Sequence, residues 1–285
     1  MLFVSAAIEV SNLWKIYDHQ EVDVEDEEAL EEIEEQSDGV IAVRDVSFSI
    51  DPGEFFIVMG LSGSGKSTLI RCLLRLLEPT SGQIAINGQI VTELDQQDLI
   101  AFRRKQVAMV FQQYGLLPHC NVIDNVAFGL KLQGVDKNER YDRARKVLDT
   151  VGLGGWEEYF PHALSGGMRQ RVGIARALVI DPPVLLMDEP FSGLDPLIRR
   201  EMQEELLRLQ EQLNKTIFFV THDLDEALRL GDRMAVMKSG SFVQVGTPQE
   251  ILADPADDYV ARFVDDKGRQ PRGLAPVKEM SKDVS

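Results

Sequence analysis

The sequence lacks the features that mark a secreted or membrane-spanning chain. Its 285 residues include only two cysteines, Cys72 and Cys120, which lie far apart and without the spacing of metal ligands. Isolated cysteines of this kind favour reduced thiols in a cytosolic protein over a disulfide or a metal site. No apolar run approaches the roughly 20 residues that a membrane-spanning helix needs, and the first residues lack the basic and apolar segments of a signal peptide. We therefore expect any role at a membrane to depend on a partner protein.

Positive charge is also scarce. The 30 lysine and arginine residues are outnumbered by 47 aspartate and glutamate residues, which gives a formal net charge of −17 at pH 7. A chain this acidic repels phosphate backbones, so we expect no nucleic-acid partner. Residues 21–38 contain eleven acidic and no basic residues. We interpret this segment as a solvated surface insertion, although the spacing of Ala29, Leu30 and Ile33 would allow a short helix.

The apolar residues predict an α/β fold. Phe55 to Met59 and Val184 to Met187 are continuous apolar runs, as in parallel strands buried on both faces. Further strands are predicted at 8–17, 40–50, 108–111, 217–220 and 233–237, with a hairpin at 82–91. Helical patterns cover 67–77, 122–158, 169–178 and 197–213. The last of these helices is expected to face inward with Met202, Leu206, Leu209 and Leu213.

A glycine-rich loop follows the first apolar run. It matches the phosphate-binding pattern G-x-x-x-x-G-K-S/T with Gly60, Leu61, Ser62, Gly63, Ser64, Gly65, Lys66 and Ser67. The order of strand, loop and helix is the context in which this pattern binds a nucleotide. Glycines let consecutive backbone N–H groups turn toward phosphate oxygens. Lys66 would bridge the β- and γ-phosphates, and the Ser67 hydroxyl would ligate Mg²⁺.

The second apolar run ends in two carboxylates, Asp188 and Glu189. Asp188 would hold Mg²⁺, and Glu189 would act as the general base or orient the attacking water. Acidic pairs are common at strand ends, so the prediction depends on the glycine loop being in the same core.

Three more polar positions are candidates for the same site. Gln112 and His222 each follow a predicted strand, where α/β sheets build ligand sites. Ser165 with Gly166 and Gly167 precedes a predicted helix and would contact a γ-phosphate. Each has a simpler interpretation: a histidine after a strand is usually a surface residue, and Ser followed by Gly is an ordinary helix N-cap.

Together these residues resemble the ATP-binding-cassette (ABC) ATPase family over about residues 8–265. The resemblance assigns Gly60–Thr68 as Walker A, Gln112 as the Q-loop and 164–168 as the signature. It also assigns Asp188 and Glu189 as Walker B, 192–195 as the D-loop with Asp195 reaching across a dimer, His222 as the switch histidine and Tyr17 as the aromatic on adenine. For Tyr17, a half-buried strand residue is the simpler alternative.

The resemblance implies a P-loop NTPase fold with a RecA-like core, an antiparallel β subdomain and a helical subdomain at about 113–178. The ATPase domain would cover 1–265, with a flexible tail at 266–285. ATP and Mg²⁺ are the implied cofactors. The signature can cap the phosphates only from a second copy of the chain, so the implied assembly is a homodimer.

A narrower resemblance is to the ATPases of glycine betaine/proline importers. Met168 and Leu61 both stand where many other cassettes have a different residue, Gln and Pro respectively. This resemblance implies a cytoplasmic ATPase docked on integral membrane permease subunits at the cell membrane, and served indirectly by an extracytoplasmic substrate-binding protein. Many members continue into a pair of CBS modules, for which the residues after 265 are too few.

Four alternatives remain open from the sequence. The chain could energise an importer for another small polar solute, or act as a soluble cassette protein of the translation or DNA-repair type. The soluble class usually has two cassettes or a long coiled coil, neither of which is seen here. A non-catalytic scaffold disagrees with the intact Lys66, Asp188, Glu189 and His222. An exporter disagrees with the absence of an attached membrane span.

Overall fold

The computed structural model describes residues 6–18, 22–36, 39–112 and 114–268. The strands are β1 (Ile8–Tyr17), β2 (Val40–Ile50), β3 (Phe55–Met59), β4 (Ser81–Ile86), β5 (Gln89–Ile90), β6 (Val107–Val110), β7 (Val184–Asp188), β8 (Thr216–Thr221), β9 (Arg233–Lys238) and β10 (Ser241–Gly246). The helices are α1 (Glu27–Gln36), α2 (Lys66–Leu73), α3 (Gln96–Lys105), α4 (Val122–Leu132), α5 (Lys137–Thr150), α6 (Gly166–Leu178), α7 (Pro196–Leu213), α8 (Leu224–Leu230), α9 (Pro248–Ala253) and α10 (Asp258–Gly268).

A six-stranded sheet in the order β10-β9-β3-β8-β7-β6 forms the centre of the core. Its strands are parallel except β10, which pairs antiparallel with β9. Every residue of β3, β7 and β8 is buried. Burial on both faces explains why β3 and β7 are continuous apolar runs in the sequence.

The second sheet is antiparallel, in the order β2-β1-β4-β5. One apolar cluster joins it to α2 and to the core sheet, with Leu69 and Ile70 of α2 packed among Val43 of β2 and Val58 of β3. The helix that begins at the glycine loop is therefore held between the two sheets. Together with the helical region α4–α6, this confirms the predicted P-loop NTPase fold with its antiparallel and helical parts.

A buried asparagine fixes the start of the helical region. Asn125 of α4 is fully buried, and its Oδ1 accepts the Leu117 N–H at 2.7 Å. Its Nδ2 donates to the carbonyls of Leu117, Cys120 and Asn121 at 3.1, 3.0 and 2.9 Å. One side chain thus makes hydrogen bonds with four backbone groups of the segment that leads into α4.

Replacing Asn125 with Ala is expected to lower the free energy of unfolding by roughly 2–3 kcal/mol, because buried backbone groups of the loop lose their partners. Urea unfolding followed by circular dichroism measures this. Asn138→Ala is the control, since Asn138 is exposed on α5 and its loss should stay within about 0.5 kcal/mol. Equal effects of the two substitutions would contradict the role given to Asn125.

The acidic segment is more ordered than the interpretation as a solvated insertion implies. It forms α1, whose Leu30 and Ile33 are 8% and 6% exposed and pack on Ile16 of β1. Glu28, Glu31 and Glu32 lie on its exposed face. The segment is an amphipathic helix laid on the antiparallel sheet, and residues 21, 37 and 38 lie outside the described residues.

Other differences from the sequence predictions concern element ends. Leu213, which is predicted to face inward, is 41% exposed because it lies in the last turn of α7. α2 ends at Leu73 instead of Leu77, and Arg75 adopts a left-handed φ of 48° just beyond it. The sequence patterns also miss α3, α8, β10, α9 and α10, the last of which extends to Gly268. The remainder of the predicted tail lies outside the described residues.

Within the ranges that the structure describes, no helix is both long and apolar enough to cross a membrane.

Candidate functional site

Four neighbouring parallel strands end at residues that the sequence predicts for the site. In sheet order, β3 leads into the glycine loop, β8 ends just before His222, β7 ends at Asp188 next to Glu189, and β6 ends two residues before Gln112. The carboxyl ends of parallel strands lie at the same edge of a sheet. Strand order therefore brings these side chains together although they are far apart in sequence.

The side chain of Lys66 lies inside the glycine loop. Its Nζ donates to the carbonyls of Gly60 and Leu61 at 2.8 and 2.9 Å, and the residue is 4% exposed. Burial lowers the pKa of Lys66, while the charges of Glu189 and Asp188 act in the opposite direction. The loop carbonyls therefore hold the ammonium within the glycine loop.

Gly65 allows the loop to pass close to the antiparallel sheet. Its φ is 103°, and a Cβ built on it would lie 2.1 Å from the carbonyl oxygen of Ala42 in β2. Gly65 is also the N-cap of α2, and it has no side chain that could accept a hydrogen bond from the first N–H groups of the helix. Since the first N–H groups of a helix have no partner within it, an anion at the helix N-terminus can accept them.

Oxygen donors suited to a hard cation lie next to the loop. Ser67 Oγ donates to Asp188 Oδ1 at 3.0 Å, and Asp188 is 4% exposed. Burial raises the pKa of Asp188, opposed mainly by this hydrogen bond. No group of three or more His, Cys, Asp or Glu side chains in the described ranges would hold a metal by itself. One hydroxyl and one carboxylate fit Mg²⁺, which takes few protein ligands when nucleotide phosphates complete its coordination.

Glu189 is the centre of a three-residue contact. Its Oε2 accepts from Gln112 Nε2 at 3.2 Å and lies 3.0 Å from His222 Nδ1. Glu189 has a left-handed φ of 44°, and its N–H donates to the carbonyl of Val220 in the next strand at 2.9 Å. Such a left-handed conformation is costly for a residue with a side chain, and it occurs here at a predicted functional position. The geometry brings these three predicted residues into direct contact.

Tyr17 lies beside the glycine loop, although α1 and its connections separate them in sequence. Its hydroxyl lies 3.3 Å from Thr68 Oγ1, and the side chain is partly buried. The Lys15 ammonium lies 5.4 Å from the centre of the Tyr17 ring. The position places the Tyr17 hydroxyl next to the start of α2.

The signature residues lie apart from the loop, at the start of α6 in the helical region. Ser165 is the N-cap of α6 and accepts the Met168 N–H at 3.3 Å, so the ordinary N-cap interpretation holds at least structurally. Gly167 faces α7, where a Cβ would lie 2.6 Å from a methyl carbon of Ile198. Asp195 caps α7 by accepting the N–H groups of Leu197 and Ile198. The signature and the D-loop are thus packed against each other.

Sequence reasoning misses two side chains that touch predicted motifs. Arg176 of α6 donates to the carbonyls of Tyr114 and Gly115, just after the Q-loop, and burial lowers its pKa. The Tyr259 hydroxyl of α10 accepts the Leu61 N–H at 3.3 Å and donates to the Met237 carbonyl at 3.2 Å. The sequence carries no local signal for either contact, because each depends on the packing of distant segments.

Comparisons with known proteins agree with these observations. A family model described as ABC transporter matches residues 43–192. The trimethylamine N-oxide transport system ATP-binding protein TmoW of Ruegeria pomeroyi is 53% identical over 272 residues, covering 93% of this chain and 79% of that protein. The glycine betaine transport ATP-binding protein OpuAA of Bacillus subtilis is 54% identical over 235 residues, covering 82% of this chain and 56% of OpuAA.

A solved structure is similar over most of its length. The dimeric, post-hydrolysis state of the ATP-binding cassette MJ0796 bound to ADP and Pi has a TM-score of 0.72 and 32% identity, covering 85% of this chain and 98% of that one. The chain spans most of TmoW but little more than half of OpuAA. The family model covers more than half of the chain, and with these relatives it confirms that the chain belongs to the ABC transporter family.

Proposed function

We propose that this chain is the ATP-hydrolysing subunit of a membrane importer for a quaternary amine or related osmoprotectant, working as a homodimer with two nucleotides between its copies. The observation that carries the proposal is the contact of Glu189 with Gln112 and His222, next to Lys66, Ser67 and Asp188. A non-catalytic scaffold would not need this set of polar and charged side chains in contact with one another.

ATP binding follows from the loop and its neighbours. The backbone N–H groups of Gly63 to Thr68 and the ammonium of Lys66 bind the phosphates, and the ring of Tyr17 stacks on the adenine. Ser67 and Asp188 would hold Mg²⁺, and Gln112 would supply a third ligand. When bound, Mg²⁺ neutralises charge on the phosphate oxygens.

Hydrolysis is carried out by the cluster around Glu189. Its carboxylate accepts a proton from the attacking water or orients that water toward the γ-phosphate. His222 donates to the γ-phosphate and also contacts Glu189 Oε2, as Gln112 does. Because it contacts both the phosphate and the carboxylate, His222 senses whether the phosphate is present. Gln112 links the same carboxylate to the segment that leads into α4.

A second copy of the chain completes each site. Ser165, Gly166 and Gly167 begin α6, whose N-terminal N–H groups and positive dipole end suit a γ-phosphate from the partner's loop. Asp195, which caps α7, belongs to the D-loop that would face the partner subunit at this interface. The similarity to a dimeric cassette bound to ADP and Pi supports this arrangement. ATP favours the closed dimer because it binds both halves, and loss of the γ-phosphate reopens it.

The importer assignment has support from the relatives. TmoW and OpuAA are named for transport of trimethylamine N-oxide and glycine betaine, two zwitterions with a fully substituted nitrogen. The region from Gln112 to Asn125, which includes Leu116, Leu117 and Pro118, is the surface proposed to receive a permease helix. The chain would then lie at the cytoplasmic face of the membrane, with a substrate-binding protein acting on the permease from outside.

The ATPase rate of the complex with its permease and binding protein, reconstituted in vesicles, tests the proposal. Glycine betaine, trimethylamine N-oxide, choline, carnitine and proline are added one at a time, and at least one should stimulate hydrolysis several-fold. The same complex with Glu189→Gln is the matched control and should show no stimulation. Stimulation only by an unrelated solute would favour another importer class. Failure to associate with any multi-span permease would favour a soluble cassette protein.

A further inference from the structure

A buried polar network lies behind the reaction cluster. Glu226 of α8 is 4% exposed and accepts the Thr221 hydroxyl at 2.6 Å and the amide of Gln203 at 3.5 Å. Thr221 Oγ1 in turn accepts the Asp223 N–H at 3.0 Å. The residues on both sides of His222 are therefore fixed by hydrogen bonds that do not involve the predicted catalytic groups.

Arg199 connects this network to the D-loop. Its Nη1 donates to Asp223 Oδ2 at 2.8 Å, and its Nη2 donates to the Leu194 carbonyl at 3.4 Å. Its Nε lies 3.9 Å from Glu226 Oε1. One guanidinium thus spans from the residue before Asp195 to the residue after His222.

The space around this guanidinium is shared with the reaction cluster. A cavity of about 50 Å³ is lined by Arg199, Glu189 and His222 together with D-loop residues Ser192 and Gly193. A shift of the D-loop therefore changes the surroundings of the catalytic carboxylate and histidine directly. The rigid, planar guanidinium of an arginine transmits such a shift better than the flexible ammonium of a lysine would.

We infer that Arg199 is a positioning residue that couples the D-loop at 192–195 to His222, so that events in one ATP site of the dimer alter hydrolysis in the other. The inference rests on the proposed function, because only in a nucleotide-sandwich dimer does the D-loop face the partner's site. When the interface loosens on one side, Leu194 moves, Arg199 carries the movement to Asp223, and His222 changes its position beside Glu189.

The test is the dependence of the ATPase rate on ATP concentration in the full chain, within its permease complex. Arg199→Gln is expected to lower the Hill coefficient to about 1 and kcat about tenfold, with little change in KM. Arg199→Lys, which keeps the charge, should recover part of the cooperativity. Arg200→Gln is the matched control, since Arg200 is the next residue of α7 and is exposed.

Several outcomes would overturn the coupling. The first is a Hill coefficient of 1 in the unmodified complex. The second is a Hill coefficient that Arg199→Gln leaves unchanged, and the third is a Hill coefficient that falls as far in Arg200→Gln as in Arg199→Gln. If Arg199→Gln does not fold, Asp223→Asn tests the same link, because the amide oxygen still caps α8 while the ion pair is lost; an unchanged Hill coefficient there also refutes it.

A second measurement separates failure of the inference from failure of the proposed function. Size-exclusion chromatography with light scattering shows whether ATP doubles the mass of the Glu189→Gln chain. A strictly monomeric chain would refute the sandwich itself. A dimer combined with unchanged cooperativity in Arg199→Gln would refute only the coupling.

Discussion

Replacing Glu189 with Gln is expected to lower the steady-state ATPase rate by at least about 100-fold while ATP binding is retained. Gln has the size of Glu and keeps an oxygen that accepts hydrogen bonds, but it cannot take a proton from water. Lys66 and Ser67, which the proposal assigns to the phosphates and Mg²⁺, are unchanged. Phosphate release measures the rate, and equilibrium binding of a fluorescent ATP analogue measures affinity.

Glu211→Gln provides the matched control, because Glu211 is exposed in the last turns of α7. It should hydrolyse ATP at the unmodified rate. The Glu189→Gln chain should also accumulate as an ATP-bound dimer, because the step that reopens it is blocked. Near-normal turnover after Glu189→Gln would remove this carboxylate from catalysis and leave His222 as the next candidate.

Replacing Gly65 with Ala is expected to weaken ATP binding by at least about 100-fold and to lower the melting temperature. The new methyl group would lie 2.1 Å from the Ala42 carbonyl oxygen, on a backbone whose φ of 103° side chains rarely adopt. Strain and steric overlap together cost roughly 3 kcal/mol or more. The loop must then move away from β2, and the N–H groups of α2 lose their orientation.

The control separates the clash from the backbone strain. Gly134 has a φ of 79°, and a Cβ there meets nothing within 4 Å. Gly134→Ala should cost about 1–2 kcal/mol of stability and leave ATP affinity unchanged. Isothermal titration calorimetry and thermal unfolding measure the two effects. Normal ATP affinity after Gly65→Ala would show that the loop tolerates a shift away from β2.

Elements with strong local signals are predicted correctly. β3 and β7 are continuous apolar runs because both of their faces are buried, and the glycine loop follows β3 directly. Most of the helical pattern predicted over 122–158 is also observed, as α4 and α5. Of the missed elements, α9 is only six residues long and β10 has no buried residue, so neither produces a strong apolar pattern.

Apolar periodicity also gives wrong predictions of burial, because it does not show where a packed surface begins and ends. Leu213 continues the apolar stripe of α7, yet it is exposed because the helix ends there. In α1 the opposite occurs: the acidic composition predicts full solvation, but Leu30 and Ile33 find an apolar surface on β1. Composition averages over a segment, whereas burial depends on the few side chains that meet a neighbour.

The sequence by itself predicted the chemistry of the site, because a glycine-rich loop with a lysine directly after a buried strand is a local pattern typical of nucleotide sites. The carboxylates that end a second strand gained their meaning only from that loop. Strand order decided what those residues form together: Gln112 and Glu189 are 77 residues apart in the chain, yet β6 and β7 are neighbours in the sheet. Only the tertiary structure assigned Tyr259 to the glycine loop, 198 residues away, and Arg199 to Asp223, the residue after His222. Such contacts arise where separate elements pack together, and no pattern within either segment specifies the partner.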